Sequence, residues 1–254
     1  MVKRSFRQSR SGQVLIVSAL LVALLLLSTA LYVIEVGKDV PAVDSTATVD
    51  FSPYGASIRN TLVSALANIS SGGDPSILPS DLDTLKTVIC AHSYRSQLSI
   101  DYTLPDSGSY SQGVWLSWGS SGVGVSSVYA TFTFNSSDPT GASTAAYSFN
   151  VTSAVHVSGS YQQQNASLWQ VNLSLGMSNE AGPALAQNFT FRVQNGTDWL
   201  SADSPVIVDH GDGSYDASFS IEGSLAAEPL VASVSCLDLR GIYVCANVTC
   251  NRVT

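Results

Sequence analysis

Eight asparagines stand in Asn-x-Ser/Thr triplets, the acceptor motif for N-linked glycans on exported proteins. They are Asn68, Asn135, Asn150, Asn165, Asn172, Asn188, Asn195 and Asn247. Four of them, Asn150, Asn172, Asn188 and Asn247, fall on the side opposite the apolar row of their predicted strands. A glycan must project into solvent, so the motif and the strand phase together predict glycosylation. The alternative is an exported surface that is simply rich in Asn and Ser.

Cysteines are the second residue type with recognisable chemistry, and they stand at Cys90, Cys236, Cys245 and Cys250. Four cysteines allow three pairings, and the spacing contains no Cys-x-x-Cys or Cys/His pattern that would indicate zinc. Cys250 lies on the inner row of its predicted strand, from which it could reach Cys90. Disulfides agree with an exported protein.

A predicted hairpin sets the other cysteine pair. If Arg240-Gly241 forms a two-residue turn, Leu239 pairs with Ile242, and counting outward places Cys236 opposite Cys245. That position is a non-hydrogen-bonded pair, where the short Cα distance suits a disulfide. The sequence therefore predicts a Cys236–Cys245 bridge.

Catalytic residues form no recognisable constellation. His92, His156 and His210 are separated by long stretches, and His156 falls on the polar face of its strand. The chain has no Gly-x-Ser-x-Gly turn and no phosphate-binding Gly-Lys motif. We therefore expect no enzyme activity, no cofactor and no metal site.

An uncharged apolar run from Val14 to Ile34 must position everything that follows it. Its twenty-one residues suffice for a helix to cross a hydrocarbon core of about 30 Å. Four basic residues precede it, namely Lys3, Arg4, Arg7 and Arg10, and basic residues stay on the cytoplasmic side. We predict a single-pass protein in the cell membrane, with a cytoplasmic N-terminus, an extracellular C-terminal part and membrane lipid around Val14–Ile34. An uncleaved signal anchor is the simplest form of this segment.

The part beyond the apolar run is acidic, with seven Lys and Arg against eighteen Asp and Glu from Gly37 onward. An acidic surface repels phosphate backbones, so nucleic acid is not an expected partner. Acidic balance can also serve only to keep an exported domain soluble.

Helical spacing of apolar residues appears first in the extracellular part, in two runs. One comprises Ile58, Leu62, Ala65, Leu66 and Ile69 after Ser57, and the other Leu82, Leu85, Val88 and Ile89 after Ser80, with Asp83 completing a capping box. Residues 71–75, Ser-Gly-Gly-Asp-Pro, break the pattern between them. Two short helices above the membrane predict a neck.

From Leu98 onward the apolar period is two, which is typical of strands, and Ser and Thr supply 58 of the 254 residues. We predict a mainly β protein with a single N-terminal transmembrane helix, a short helical neck and one or two immunoglobulin-like β-sandwich domains. The predicted boundaries are residues 1–12 for the basic cytoplasmic leader, 13–36 for the transmembrane helix, 37–97 for the neck, 98–158 for a β-rich domain and 159–254 for the sandwich. Trp115 and Trp118 are expected to be buried, with stacking on sugars as the alternative.

The N-terminus resembles the class III signal peptides of type IV pilin-like proteins, especially archaeal ones. The resemblance rests on the basic leader, Gly12 at the cleavage point, Gln13 opening the mature chain and the apolar helix behind it. The start and the Glu35-Val36-Gly37 ending also resemble tight-adherence pilus proteins. This resemblance implies leader cleavage between Gly12 and Gln13. Val17 stands where many polymerising pilins carry Glu, so an anchor that does not polymerise stays open.

A second resemblance lies in the last third of the chain. Residues 209–219, Asp-His-Gly-Asp-Gly-Ser-Tyr-Asp-Ala-Ser-Phe, are similar to a signature of immunoglobulin-like repeats in filamins and microbial surface proteins. The Asp and Gly residues suit a turn, and Tyr215 and Phe219 then enter a strand facing one way. Asp209, Asp212 and Asp216 could hold calcium, but their spacing is not that of an EF-hand, and we interpret them as an ordinary turn.

These patterns predict a membrane-anchored extracellular glycoprotein of the cell envelope, archaeal by its leader and its sequons, with a structural or adhesive role. Other envelope or pilin-like subunits and surface glycans are the expected partners. A pilin-like subunit of a type IV-type surface filament is the first alternative. An exported enzyme or receptor with unrecognised loops is the second.

Overall fold

The computed structural model describes residues 52–92, 97–138, 141–180, 182–223 and 229–253, which belong to one compact unit. Within these ranges the protein is mainly β, with two helices and two largely antiparallel sheets packed in a sandwich-like manner. The predicted leader with Gly12 and Gln13, and the predicted membrane segment Val14–Ile34, lie outside the described residues. Neither of the described helices combines the length and apolarity that a membrane crossing requires.

The elements follow one another with short connections. The helices are α1 Ser52–Ser70 and α2 Ile77–His92. The strands are β1 Gln97–Thr103, β2 Val114–Trp118, β3 Val123–Asp138, β4 Gly141–Asn165, β5 Leu168–Asn179, β6 Gly182–Pro183, β7 Ala186–Asn195, β8 Asp198–Ser201, β9 Val206–Asp209, β10 Ser214–Glu222, β11 Val231–Asp238, β12 Tyr243–Thr249 and β13 Asn251–Arg252.

Both helices predicted in the neck are present, but each begins earlier than expected. α2 starts at Ile77 rather than after Ser80, so the predicted capping box at Ser80 and Asp83 is wrong. The Asp74 carboxylate instead accepts the backbone N–H of Ser76 just before the helix, at 2.9 Å. Pro79 is tolerated because the first turn of a helix has no partner for its N–H groups.

The helices cover one face of β1, β3 and the first part of β4. Their buried side chains and those of the strands form a first core, which we call the helical-side core. Its buried members are Ile58, Leu62, Ala65, Leu66, Ile69, Leu78, Leu82, Ile89, Ile100, Val128, Ala130, Phe132, Phe134, Val151 and Ile242. The apolar residues spaced helically in the sequence are therefore the ones that face the sheet.

β3 and β4 form one long hairpin that runs past this core. They pair from Val123 opposite His156 to Asp138 opposite Gly141, without a shift of register. β4 has 25 residues and continues beyond β3 to pair with β5. The domain boundary predicted after residue 158 falls inside β4, so the two halves of the β region share a strand.

The second part of β4 opens a sandwich of two sheets. One layer has the order β4-β5-β10-β9, and the other has the order β12-β11-β7-β8. The chain crosses between layers after β6, after β8 and after β10, and β13 returns to pair in parallel with β4. Tyr215 of β10 joins the layers directly, because its hydroxyl accepts the backbone N–H of Ala186 at 2.8 Å.

The inward rows of these strands form the second core, which we call the sandwich core. Its buried members are Val155, Val157, Tyr161, Trp169, Val171, Leu173, Leu175, Met177, Phe191, Val193, Tyr215, Ala217, Phe219, Ile221, Leu230, Ala232, Val234, Cys236, Val244, Ala246, Val248 and Cys250. The alternation of buried and exposed residues along β5, β10, β11 and β12 follows the apolar period of two.

Candidate functional site

None of the eight sequon asparagines is buried in the structure, and all eight lie within the described residues. The outward placement predicted for Asn150, Asn172, Asn188 and Asn247 is confirmed, since each has its neighbouring apolar residue turned inward. Val151, Leu173 and Val248 are the buried neighbours of the first, second and fourth. Glycosylation itself stays a prediction, and its surface requirement is met at each position.

Hydrogen bonds of three sequon side chains use the amide oxygen. Asn150 Oδ1 accepts from Ser127 Oγ at 3.0 Å, and Asn135 Oδ1 accepts from Thr144 Oγ1 at 2.8 Å. Asn165 Oδ1 accepts the backbone N–H of Ser167 at 2.9 Å. These contacts hold the amide plane through its oxygen, and the amide nitrogen is the atom to which a glycan would be attached.

Asn172 lies in the middle of a row of side chains that crosses five strands of one sheet. Strand register places Asn251 beside Ser160, Ser160 beside Asn172, Asn172 beside Ser218, and Ser218 beside Val206. All five residues face the outside of the sandwich. The two serines beside Asn172 have short side chains, so they leave a depression in the outer face of the sheet around it.

A second row runs parallel to the first and completes a groove. It consists of Ser158, Ser174, Asp216 and Val208. The two rows line a groove of about 440 Å³ on the outer face of the sheet. Hydroxyl groups form the floor, and the side chains of Val206 and Val208 form the wall at the edge strand β9.

Asp216 organises one end of this groove. Its carboxylate accepts from Ser174 Oγ at 2.7 Å and lies 3.0 Å from His210 Nε2. These two hydrogen bonds, first that from Ser174 and then that from His210, hold the pKa of Asp216 below its ordinary value. The order of the three groups is not that of a catalytic triad, in which the imidazole lies between hydroxyl and carboxylate and takes the hydroxyl proton.

The Asp-rich segment before β10 is a turn, as interpreted from the sequence. Asp209 Oδ1 accepts the backbone N–H of Gly211 at 2.8 Å, and Asp212 Oδ1 accepts that of Ser214 at 2.9 Å. Gly211 and Gly213 both have positive φ, +78° and +86°, which glycine adopts without strain. Among the described residues no group of three His, Cys, Asp or Glu is placed to hold a metal ion.

The two tryptophans expected in the interior are both partly exposed. Trp118 is 40% exposed, packs edge-on against Tyr243 at 5.3 Å and donates from Nε1 to Ser126 Oγ at 3.4 Å. Trp115 is half-buried and packs edge-on against Tyr110 at 5.9 Å. The sequence could not distinguish these positions from core ones, because glycines and serines around an aromatic ring allow either.

The predicted hairpin register is wrong, and the observed register removes the basis of the predicted Cys236–Cys245 bridge. Leu237 lies opposite Tyr243, so Cys236 faces Val244 while Cys245 faces Ser235. Successive residues of a strand point to opposite faces, and the two thiols therefore lie on opposite sides of their sheet.

All four cysteines are free thiols in the structure. Burial, the largest cause, raises the pKa of Cys236 to about 12 and that of Cys250 to about 11. Cys250 belongs to the sandwich core, whereas Cys90 packs against the helical-side core. The predicted contact of Cys90 with Cys250 is therefore not made here.

The residues that sequence reasoning missed lie where the β11–β12 turn meets the long β4. Arg240 donates from Nη1 to Glu180 Oε1 at 2.8 Å and from Nη2 to the Thr152 carbonyl at 2.9 Å. Its Nε donates to Asp238 Oδ2 at 2.9 Å. Ile242, the last residue of the turn, enters the helical-side core. Among these, only the Arg240-Gly241 turn gave a signal in the sequence.

The β2–β3 turn closes the open edge of β12. Asn247 donates its backbone N–H to Gly119 O at 3.0 Å and accepts from the Gly122 N–H at 2.8 Å. Ser126 Oγ donates to the Tyr243 carbonyl at 2.6 Å. The β2–β3 turn is thereby hydrogen-bonded to β12, the strand at the edge of the second layer.

No known protein family matches this chain, and no curated protein is significantly similar to it.

Proposed function

We propose that this protein is a membrane-anchored, glycosylated protein of the cell surface with a structural or adhesive role. The observation that supports the proposal most directly is the placement of its sequons, since all eight asparagines are accessible, seven of them on strands and Asn68 on α1. Random placement on strands would put about half of such positions on the inner face, because side chains alternate.

The N-terminal segment supports the membrane part of the proposal. Val14–Ile34 carries no charge, spans twenty-one residues and follows a basic leader. Its charge asymmetry favours an extracellular C-terminal part, which is where glycans and an acidic, hydroxyl-rich surface belong. The sequon placement and the charge asymmetry are independent of each other and favour the same orientation.

Strand order supports an immunoglobulin-like assignment of the sandwich. In that fold one layer has strands A, B, E and D, and the other has C, F and G. Here β4, β5, β10 and β9 correspond to the first layer, and β7, β11 and β12 correspond to the second, with β8 added beside β7. The turn at residues 209–213 precedes the strand that corresponds to E. Domains of this kind commonly serve on cell surfaces.

A structural role fits the joint between the two cores. A Cβ at Gly124 would come within 2.0 Å of the Cys245 carbonyl oxygen, and one at Gly122 within 2.3 Å of the Val157 oxygen. Backbones packed this closely leave no space for a hinge at the joint. A close joint of this kind between the helical part and the sandwich suits a stalk or scaffold.

Mass spectrometry of the protein from the membranes of its native cell tests the proposal. We expect the chain in the membrane fraction, hexose or hexosamine on several sequon peptides, and cleavage of residues 97–253 by protease added to intact cells. A chain found in the soluble cytoplasm, with eight unmodified asparagines, would refute the proposal.

A pilin-like subunit is the second candidate, and Gly12-Gln13 before the apolar segment favours it. N-terminal sequencing of the native protein separates the candidates, together with electrophoresis after mild detergent treatment. Gln13 at the N-terminus with detergent-resistant oligomers would support a filament. Met1 at the N-terminus with monomeric protein would exclude it.

A further inference from the structure

The edge strand β9 presents apolar side chains to solvent. Val206 is 63% exposed, Val208 is 50% exposed and Ile207 between them is 39% exposed. β9 is the last strand of its layer and pairs on one side with β10. Folded proteins usually cover or charge such an edge, because it can pair with another chain.

The groove beside this strand contains the sequon asparagine Asn172. Asn172 is two strands away from β9, which is about 10 Å at the usual spacing of strands. Between them stands only Ser218, which is too small to block the way. A sugar attached to Asn172 Nδ2 therefore starts at the floor of the groove and has the valine wall within reach of a disaccharide.

We propose that the glycan on Asn172 lies in this groove and covers Val206 and Val208. This inference rests on the proposed function, because it requires that the protein is glycosylated. Ser158, Ser160 and Ser218 offer hydroxyls that can both donate to and accept from sugar hydroxyls. The C–H face of a pyranose ring is apolar, and it packs against the valine side chains that solvent otherwise contacts.

The attachment chemistry is that of N-glycosylation from a lipid-phosphate-linked oligosaccharide. A bond forms between Asn172 Nδ2 and the anomeric carbon of the first sugar, and the bond from that carbon to the lipid phosphate oxygen breaks. One amide proton leaves, and the lipid phosphate departs as the protonated leaving group. The acceptor also requires the hydroxyl of Ser174, which completes the sequon.

Hydroxyl-radical footprinting of the full-length glycoprotein in detergent tests the position of the glycan. The labelling rates of Val206 and Val208 are measured in the wild type and in Asn172→Gln. We expect labelling to rise at least about twofold in the variant, since a sugar resting on a half-exposed side chain removes most of its contact with water. Asn150→Gln removes a glycan from another part of the surface and is expected to leave the rates unchanged.

A second pair of variants keeps Asn172 itself and guards against misfolding. Ser174→Ala destroys the sequon and removes the hydrogen bond to Asp216, whereas Ser174→Thr preserves the sequon and a hydroxyl that can donate to Asp216. Asp216→Ala removes this hydrogen bond with the sequon intact, and it is expected to leave the labelling of Val206 unchanged. Labelling of β9 is expected to rise in Ser174→Ala and not in Ser174→Thr. Equal labelling in the two would overturn the inference.

Glycopeptide mapping of the same samples keeps the two proposals distinguishable. An unmodified Asn172 beside other occupied sequons would overturn the inference and leave the proposed function standing. Eight unmodified asparagines would overturn both. A third outcome is that Asn172 is occupied, the protein is dimeric, and β9 is equally protected in the wild type and in Asn172→Gln. That result would show that a second copy of the chain covers β9, and it would overturn the inference.

Discussion

Arg240 and Asp238 form an ion pair in which Nε lies 2.9 Å from Oδ2, and the Asp238 side chain is fully buried. The same carboxylate accepts the backbone N–H groups of Arg240 and Ile242 through Oδ1, at 2.8 and 2.9 Å. One side chain thus closes the β11–β12 turn and neutralises the cation that crosses to Thr152 and Glu180. The Asp238 carboxylate therefore stabilises both the β11–β12 turn and the contact of Arg240 with the residues Thr152 and Glu180.

We predict that Asp238→Ala lowers the free energy of unfolding by about 3 to 5 kcal/mol, because it leaves a partly buried guanidinium without its fully buried carboxylate partner. Urea denaturation followed by tryptophan fluorescence measures the change. Asp203→Ala, at an exposed position, is the matched control and is expected to change stability by less than about 0.5 kcal/mol. Equal stabilities of the two variants would contradict the role given to Asp238.

Gly124→Ala is predicted to lower the free energy of unfolding by about 1 to 3 kcal/mol, the usual cost of overpacking. The added Cβ would lie 2.0 Å from the Cys245 carbonyl oxygen, and a backbone atom cannot rotate away as a side chain can. Gly176→Ala provides the comparison, since a Cβ there meets nothing within 4 Å. Thermal unfolding of both variants checks this, and a Gly124→Ala protein as stable as Gly176→Ala would refute the close contact.

Ile242→Ala is predicted to lower the free energy of unfolding by about 2 to 5 kcal/mol, because the Ile242 side chain is fully buried among the helices and β3. Leu239, in the same turn, is 62% exposed, and Leu239→Ala is expected to be nearly neutral. Hydrogen exchange should show the loss of protection in α1, into whose side of the core Ile242 inserts. Loss of protection confined to β7 and β8 would count against this packing.

Cys236 is predicted to resist alkylation in the folded protein. With burial raising its pKa to about 12, the thiolate fraction at pH 8 is on the order of one in ten thousand. Iodoacetamide labelling with peptide mapping should modify Cys236 only after denaturation. A Cys236–Cys245 disulfide in the mapped peptides would overturn the register of β11 and β12.

Stability is predicted to fall as the solution becomes alkaline. Burial holds the pKa of Cys236 in the folded protein above the ordinary value of a thiol, so the unfolded chain loses this proton first. The contribution of the Cys236 thiol to the free energy of unfolding is present in full below about pH 9, and it is lost as the pH rises toward 12. Cys236→Ala should flatten the alkaline part of a plot of unfolding free energy against pH, and an unchanged slope would contradict the assignment.

Alternation in the sequence was sufficient to predict most of the strands and their inward faces. Phe132, Phe134, Val151 and Leu173 are buried as their positions required, because the period of two is a local property. The helices of the neck were predictable for the same reason, from the spacing of Leu62, Leu66 and Ile69. The absence of a break within β4 was not predictable, since both halves of that strand have the same period.

Turn register depended on a side chain that local patterns do not describe. The positive φ of the β11–β12 turn falls on Gly241, at +83°, and not on Arg240. The carboxylate of Asp238 stabilises a longer turn by accepting backbone N–H groups, which moves the pairing by one residue. The shift of one residue places Val244 instead of Cys245 opposite Cys236, and Cys245 then lies on the other face of the sheet.

The candidate groove could be found only in part. Strand phase placed Asn172 outward, but its neighbours Ser218 and Asn251 come from distant parts of the chain. No local rule connects them until the sheet order is known. His210 and Asp216 were visible as parts of one turn motif, whereas Ser174 joins them only across the β5–β10 pairing.

A strand shared by two cores has a mechanical consequence. The ladder of β4 lies against β3 at one end and against β5 at the other, along 25 residues. A pulling force that draws the helical part and the sandwich apart acts along this ladder as shear, so many hydrogen bonds must break together. Such a body would yield at a high rupture force and in a single step.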